Sequence, residues 1–297
     1  MSKRSWTLSL LRRRVALASI YARLGDVSVF SGLVISRVDL SVANLERSLH
    51  FYQDVLGLAL LDSSAGQATL GVPGRPLLHL VEQPGARPSL PSSPGLFHFA
   101  LLVPHRAALA QFVRHLIEIR HPLQGVADHL VSEALYLEDP DGHGIEVYSD
   151  RPSEQWSWDG PVLRMATDPL DLENLLTEPD APWQGMPEGT TMGHVHLHVT
   201  DLAATQQFYC GLLGLDLMTT YPRALFVSAA GYHHHFGLNT WQSRHGQPAP
   251  RDHAQLRGVE LIVPDADLER LQRSTGTSAH PLKLSDPAGN PLIFRRD

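Results

Sequence analysis

Thiols are nearly absent from this sequence: Cys210 is the single cysteine in 297 residues. One cysteine can form neither an intramolecular disulfide nor an all-thiolate metal site, and the scarcity fits a reducing cytoplasm. Long apolar runs are also missing. The early stretch Val15-Ala16-Leu17-Ala18-Ser19-Ile20 is too short to cross a bilayer, so no membrane association is expected. Positive charge is in deficit, with 24 Lys+Arg against 31 Asp+Glu and a net charge of −7. Nucleic acid, whose phosphates require a basic face, is therefore not an expected partner. The exception is the start of the chain, where Lys3, Arg4, Arg12, Arg13, Arg14 and Arg23 precede the first acidic residue, Asp26. These arginines stand directly before a weak apolar segment with no clear cleavage site, which is poor for a signal peptide. Residues 1–32 read as a poorly ordered leader.

What is present is a globular composition, 43% hydrophobic and 19% charged, and an unusual 17 histidines. The length allows two ordinary domains with substantial cores.

Internal repetition organises the rest. Ile35-Ser36-Arg37-Val38-Asp39-Leu40-Ser41-Val42 alternates as a strand does, and Asn44 to Tyr52 then carries apolar residues at helical spacing, ending at Leu56-Gly57-Leu58. Met192 to Leu202 repeats that strand and cap, followed by Phe208-Tyr209 and Leu213-Gly214-Leu215 at the same offset throughout. A second pattern, His98-Phe99-Ala100-Leu101-Leu102-Val103-Pro104, is echoed by Gly258-Val259-Glu260-Leu261-Ile262-Val263-Pro264. Asp139-Pro140-Asp141-Gly142 is likewise echoed by Asp286-Pro287-Ala288-Gly289. Four units of strand, helix and about three strands follow, over 33–84, 95–150, 190–242 and 255–297. A connector at 151–189, rich in Trp and Pro, is expected to pack on the surface. The expected fold class is α+β, four βαβββ units paired into two cup-shaped half-barrels. The division runs as a first domain over 33–150 and a second over 190–297.

The paired units, the Gly193-His194-Val195 opening, the Phe51-Tyr52…Leu56-Gly57-Leu58 helix end and the Asp139-Pro140-Asp141-Gly142-His143-Gly144-Ile145-Glu146 close together resemble the vicinal oxygen chelate superfamily. Within it the chain looks most like the extradiol, catechol 2,3-dioxygenase type. The resemblance covers about 33–297. It implies an Fe(II) centre, with Mn(II) as the alternative ion, held by two histidines and a glutamate with open positions left on the metal. His98 and Glu146 match one pair of ligands, and His194 matches the third. His196, two residues on and on the same strand face, is its rival. The matching positions elsewhere are Arg37, which has no lone pair to give, and Gly258 and Ile293. The first and fourth units thus look metal-free. The ligands would come from units two and three, which must pair with each other, as must one and four. This departs from the usual arrangement, in which all ligands lie in the C-terminal half.

Other matches carried by the resemblance are Tyr136, ten residues before Glu146, and His129 upstream of it, both expected to contact substrate. The acid–base histidine falls in Gly231-Tyr232-His233-His234-His235, with His234 the better match and His233 behind it. His79 and Asp39 read as structural, Glu260 as a carboxylate aligned with Ala100, and His143 and His50 as surface residues. The implied partners are a small aromatic diol and O2, opened to a muconic semialdehyde, with a homo-oligomer compatible. A glyoxalase-like isomerase, a hydroquinone dioxygenase and a metal-free binding protein are the alternatives on the same scaffold.

Overall fold

A computed structural model describes residue 30 and residues 32–296. The expected leader lies outside the described residues except for Phe30 and Gly32, and Phe30 is buried with Arg270 stacked over its ring.

Unit one comprises β1 (Val34–Val42), α1 (Leu45–His50), β2 (Ala59–Ser64), β3 (Gln67–Val72) and β4 (Arg75–Glu82). Unit two comprises β5 (Gly95–Leu102), α2 (Arg106–Glu118), β6 (Gly125–Asp128), β7 (Ser132–Glu138) and β8 (Gly144–Asp150). The connector forms a short hairpin, β9 (Trp158–Asp159) and β10 (Val162–Leu163), then α3 (Leu172–Leu175). Unit three is β11 (Thr191–His198), α4 (Leu202–Gln206), β12 (Asp216–Tyr221), β13 (Ala224–Ser228) and β14 (Phe236–Asn239). Unit four is β15 (Leu256–Val263), α5 (Asp265–Thr275), β16 (Leu282–Ser285) and β17 (Pro291–Arg296). It therefore has two strands after its helix where three were expected. α5 stops at Gly276 in the left-handed conformation (φ 67°), and the short segment that follows leads straight into β16.

The fold is α+β, and its main strands form one mixed sheet that does not close into a barrel. Within it, β5 of unit two runs antiparallel to β11 of unit three, and β1 of unit one runs antiparallel to β15 of unit four. The ladder between the two stretches runs through the pair Ile35 and Met192. Strand alternation sends Val38, Leu40, Phe99, Leu101, Ile145, Val147, Val195 and Leu197 into the core beneath the helices. The opposite face is left for polar chemistry.

Local rules explain how the ligand-bearing strands are aimed. The Asn44 and Asp201 side chains accept from the Arg47 and Ala204 N–H groups, starting α1 and α4. Both helices then widen into a π turn containing Phe51-Tyr52 or Phe208-Tyr209. The buried Tyr52 hydroxyl donates to Asp139 Oδ2 at 2.9 Å. Asp139 Oδ1 in turn accepts from the Asp141 and His143 N–H groups, fixing the turn that launches β8. Tyr209 and Asp286 repeat the arrangement in the other pair of units. His143, expected at the surface, is 1% exposed, because its Nε2 reaches the Ser41 carbonyl at 3.0 Å.

Candidate metal centre

His98 and Ala100 on β5, Glu146 on β8 and His194 on β11 share the sheet face away from the helices. Ala100 lies in register with both His194 and Glu146, and Tyr136 on β7 lies opposite Glu146. The small Ala100 leaves the space into which its neighbours reach. A Cβ at Gly144 would come within 2.1 Å of the Phe97 carbonyl and 3.1 Å of His98 Cβ, so glycine is required for β8 to pass His98. A Cβ at Gly193 would sit 1.8 Å from the Tyr148 hydroxyl.

His98 Nε2 lies 3.0 Å from Glu146 Oε2, and His194 Nε2 lies 3.1 Å from the same oxygen. The three donor atoms fall within 4.8 Å of one another, and all three residues are buried. His98 Nε2 is close to the carboxylate but off the line of a hydrogen bond, and it has no hydrogen-bond partner. Buried polar atoms are rarely left unpaired. Two imidazoles and a carboxylate converging on one point, with a nitrogen unpaired, suit a divalent ion such as iron, manganese or zinc. Burial would push the Glu146 carboxyl up, but the His194 and His98 imidazoles outweigh it and hold it well below the usual range. Burial pushes His98 and His194 down, opposed in part by Glu146, so both favour the neutral form that ligation needs.

The structure also places the other expected residues here. The His234 ring lies 4.1 Å from that of His194, tilted by 44°. Its Nδ1 lies 2.7 Å from His233 Nδ1, and His233 Nε2 lies 2.9 Å from Asp150 Oδ1. The carboxylate only accepts, so His233 Nε2 carries hydrogen, and with His233 neutral its Nδ1 accepts from His234 Nδ1–H. The lone pair of His234 is then on Nε2. Burial, with neighbouring His194 and His233, pushes the His234 imidazole well down. His129 Nδ1 donates to the Ala166 carbonyl at 2.7 Å, leaving Nε2 to accept from the Tyr136 hydroxyl at 2.6 Å. Burial and Glu146 push the Tyr136 phenol well up, so it stays protonated.

His98, Glu146, His194, His234, His129 and Tyr136 border a cavity of about 300 Å³. His196 lines it too, with Nε2 unpartnered, but stands outside the convergent trio. Its ring abuts Gly237, where a Cβ would come within 2.8 Å.

Part of the wall has no counterpart among the residues expected from sequence. Phe97 joins its neighbour His98 on the cavity because the register slips between His196/His98 and Leu197/Leu96, a bulge that strict alternation misses. Met165 and Thr167 come from the connector, which covers the site instead of simply packing on the surface. Tyr221, Phe226 and Trp241 come from unit three. Asp150 could have been found, since Glu146, Tyr148 and Asp150 alternate onto one face.

In the other pairing, Arg37 Nε donates to Asp39 at 2.7 Å, and Glu260 accepts from Arg295 at 2.6 Å and Arg37 at 3.4 Å. His79 pairs with Thr69 at 3.1 Å. His50 is exposed beside Asp54.

Known proteins resemble this chain. Over 248 residues the chain is 42% identical to the catechol-2,3-dioxygenase of Bacillus subtilis (strain 168), covering 80% of this chain and 85% of that protein. Among solved structures, glyoxalase I from Zea mays has a TM-score of 0.52 at 15% identity, over 89% of this chain and 92% of that one. The cppA protein of Streptococcus pneumoniae has a TM-score of 0.54 at 13% identity, over 92% and 100%. At such identities the structural likeness speaks for the fold. The model of one protein family matches residues 34–147 and 191–289, so that nearly every strand described above lies inside it. The chain belongs to that family, the Glyoxalase/Bleomycin resistance protein/Dioxygenase superfamily.

Proposed function

We propose that the protein is an extradiol ring-cleaving dioxygenase, acting on catechol or a substituted catechol with O2 at an Fe(II) centre held by His98, His194 and Glu146. The observation that carries this reading is the convergence of those three donors beside His234, which borders the same cavity. The likeness to a catechol-2,3-dioxygenase supports it.

His98, His194 and Glu146 would hold a divalent ion, which would supply Lewis acidity towards a vicinal diol and redox chemistry with O2. The chain's own residues do the rest. His234 Nε2 accepts a diol proton and later returns it, held in the competent tautomer by His233 and Asp150. Tyr136 keeps its hydroxyl proton directed at His129, so its oxygen lone pair is free to accept a hydrogen bond from a substrate hydroxyl. Phe97, Phe226, Trp241 and Met165 give an aromatic ring apolar walls and limit water. Glu146 is the single carboxylate among the described residues lining the cavity, which disfavours an isomerase needing a further carboxylate ligand.

The test is anaerobic loading with Fe(II), followed by catechol in air. A yellow ring-opened product is expected, lost in Glu146→Ala. No product from catechol or substituted catechols at full iron occupancy would overturn the reading.

A further inference from the structure

Six buried side-chain polar atoms among the described residues lack a hydrogen-bond partner, and four belong to residues lining the catalytic cavity: His98 Nε2, His194 Nδ1, His196 Nε2 and Tyr221 Oη. The first two belong to the metal ligands. His196 and Tyr221 are outside the ligand trio, so a cation leaves them unsatisfied. They come from neighbouring parts of unit three and flank one ring, with Phe226 lying 5.6 Å from His196 and 5.2 Å from Tyr221, centroid to centroid. A buried polar atom left unpaired costs about 1–3 kcal/mol, so each such atom calls for a partner that the chain itself does not supply.

The surroundings restrict that partner. The described cavity lining contains no Lys or Arg, and its one acid, Glu146, is committed to the metal. Asp168 lies close enough to act on the Tyr221 phenol. An anionic group here would be buried without a counter-charge. A cationic group would meet mainly aromatic and imidazole surface. An alkyl group would leave both polar atoms unpaired.

We infer that Tyr221 and His196 form a specificity subsite for an uncharged hydrogen-bonding substituent, such as a hydroxyl, carbonyl or ether, on the ring of the diol. The diol itself rests on the dioxygenase reading; the polarity of the subsite does not. The substrate class is therefore catechols with a neutral polar arm, ahead of plain, alkyl or carboxylated catechols.

Two near-isosteric pairs test this: 3- and 4-(hydroxymethyl)catechol against 3- and 4-ethylcatechol. Binding to the Fe(II)-loaded protein is measured by calorimetry under argon, so that no turnover is needed. In at least one pair the hydroxymethyl compound should bind about tenfold or more tightly than its ethyl partner. Tyr221→Phe should shrink that ratio to about threefold or less. Equal or tighter binding of the ethyl compound in both pairs overturns the subsite, as does a ratio that Tyr221→Phe leaves intact, or no binding by either member. Without ligand, Tyr221→Phe should melt no lower than the parent, since the hydroxyl it removes has no partner. A lower melting point would reveal a structural partner and sink the proposal. Admitting air afterwards separates the two readings: binding preference without ring opening removes the dioxygenase and keeps the subsite.

Discussion

The two antiparallel strand pairs at the centre of this molecule, β5 with β11 and β1 with β15, are built alike and filled oppositely. Where β5 and β11 meet, two imidazoles and a carboxylate converge with a nitrogen unpaired. Where β1 and β15 meet, the position aligned with His194 holds Arg37, whose guanidinium already carries a positive charge and engages Asp39 and Glu260. The position aligned with His98 is Gly258, and a Cβ there would press on Ile293, which stands where Glu146 does. One cup gathers two imidazoles and a carboxylate, a set that suits a divalent cation; the other has a cation built into the chain. The same scaffold can therefore become a reactive centre or a structural clamp through three side chains.

The largest effect should come from breaking the first cup. Glu146→Ala removes the only carboxylate of the trio, and turnover should fall by at least about a thousandfold together with bound iron, read by product formation and metal analysis. Tyr136→Phe keeps the ligands and removes one hydrogen-bonding hydroxyl. It should lower kcat by about 10–100-fold with iron content unchanged.

Acid should separate the cups next. Unfolded imidazoles titrate near 6.5. In the fold, burial pushes His196 and His234 well down, and His198 and His235 down to about 4. With folded values depressed, the unfolded chain binds more protons below about 6.5, so stability is full above that pH and falls as pH drops towards 4. The metal-free protein should lose thermal stability between about pH 7.5 and pH 5.5. Hydrogen exchange should rise in β5, β8 and β11 before β1 and β15, and an equal rise in both would remove the distinction. The smallest effect belongs to Arg37→Leu. It should cost about 1–2 kcal/mol in denaturant unfolding, since Asp39 loses its partner while Glu260 keeps Arg295. It should leave kcat/KM unchanged.

Much of this contrast was legible in the chain itself. The constant offset between Arg37 and His194, and between Phe51-Tyr52 and Phe208-Tyr209, exposed the repeats because each copy must solve the same strand, cap and turn problem. The missing lone pair at Arg37 and the missing side chain at Gly258 pointed away from metal in units one and four. What alternation could not convey was the bulge that turns Phe97 onto the cavity beside His98. Nor do Met165 and Thr167 advertise themselves, since an irregular connector has no period, and its position is set by contacts such as Ala166 to His129. His143 was misread because a histidine after an Asp-Gly turn looks solvated, whereas a carbonyl from distant β1 claims it.

The union of β1 with β15 has a consequence for how the chain is made. Ser36 finds Glu260 only after 224 further residues have emerged, so one flank of β1 lacks its native neighbour through most of synthesis. A bare strand edge invites adhesion to other chains, and such distant closure is slow. Units two and three, adjacent in sequence, can zip together first and present the reactive cup while the opposite side still waits for its clasp.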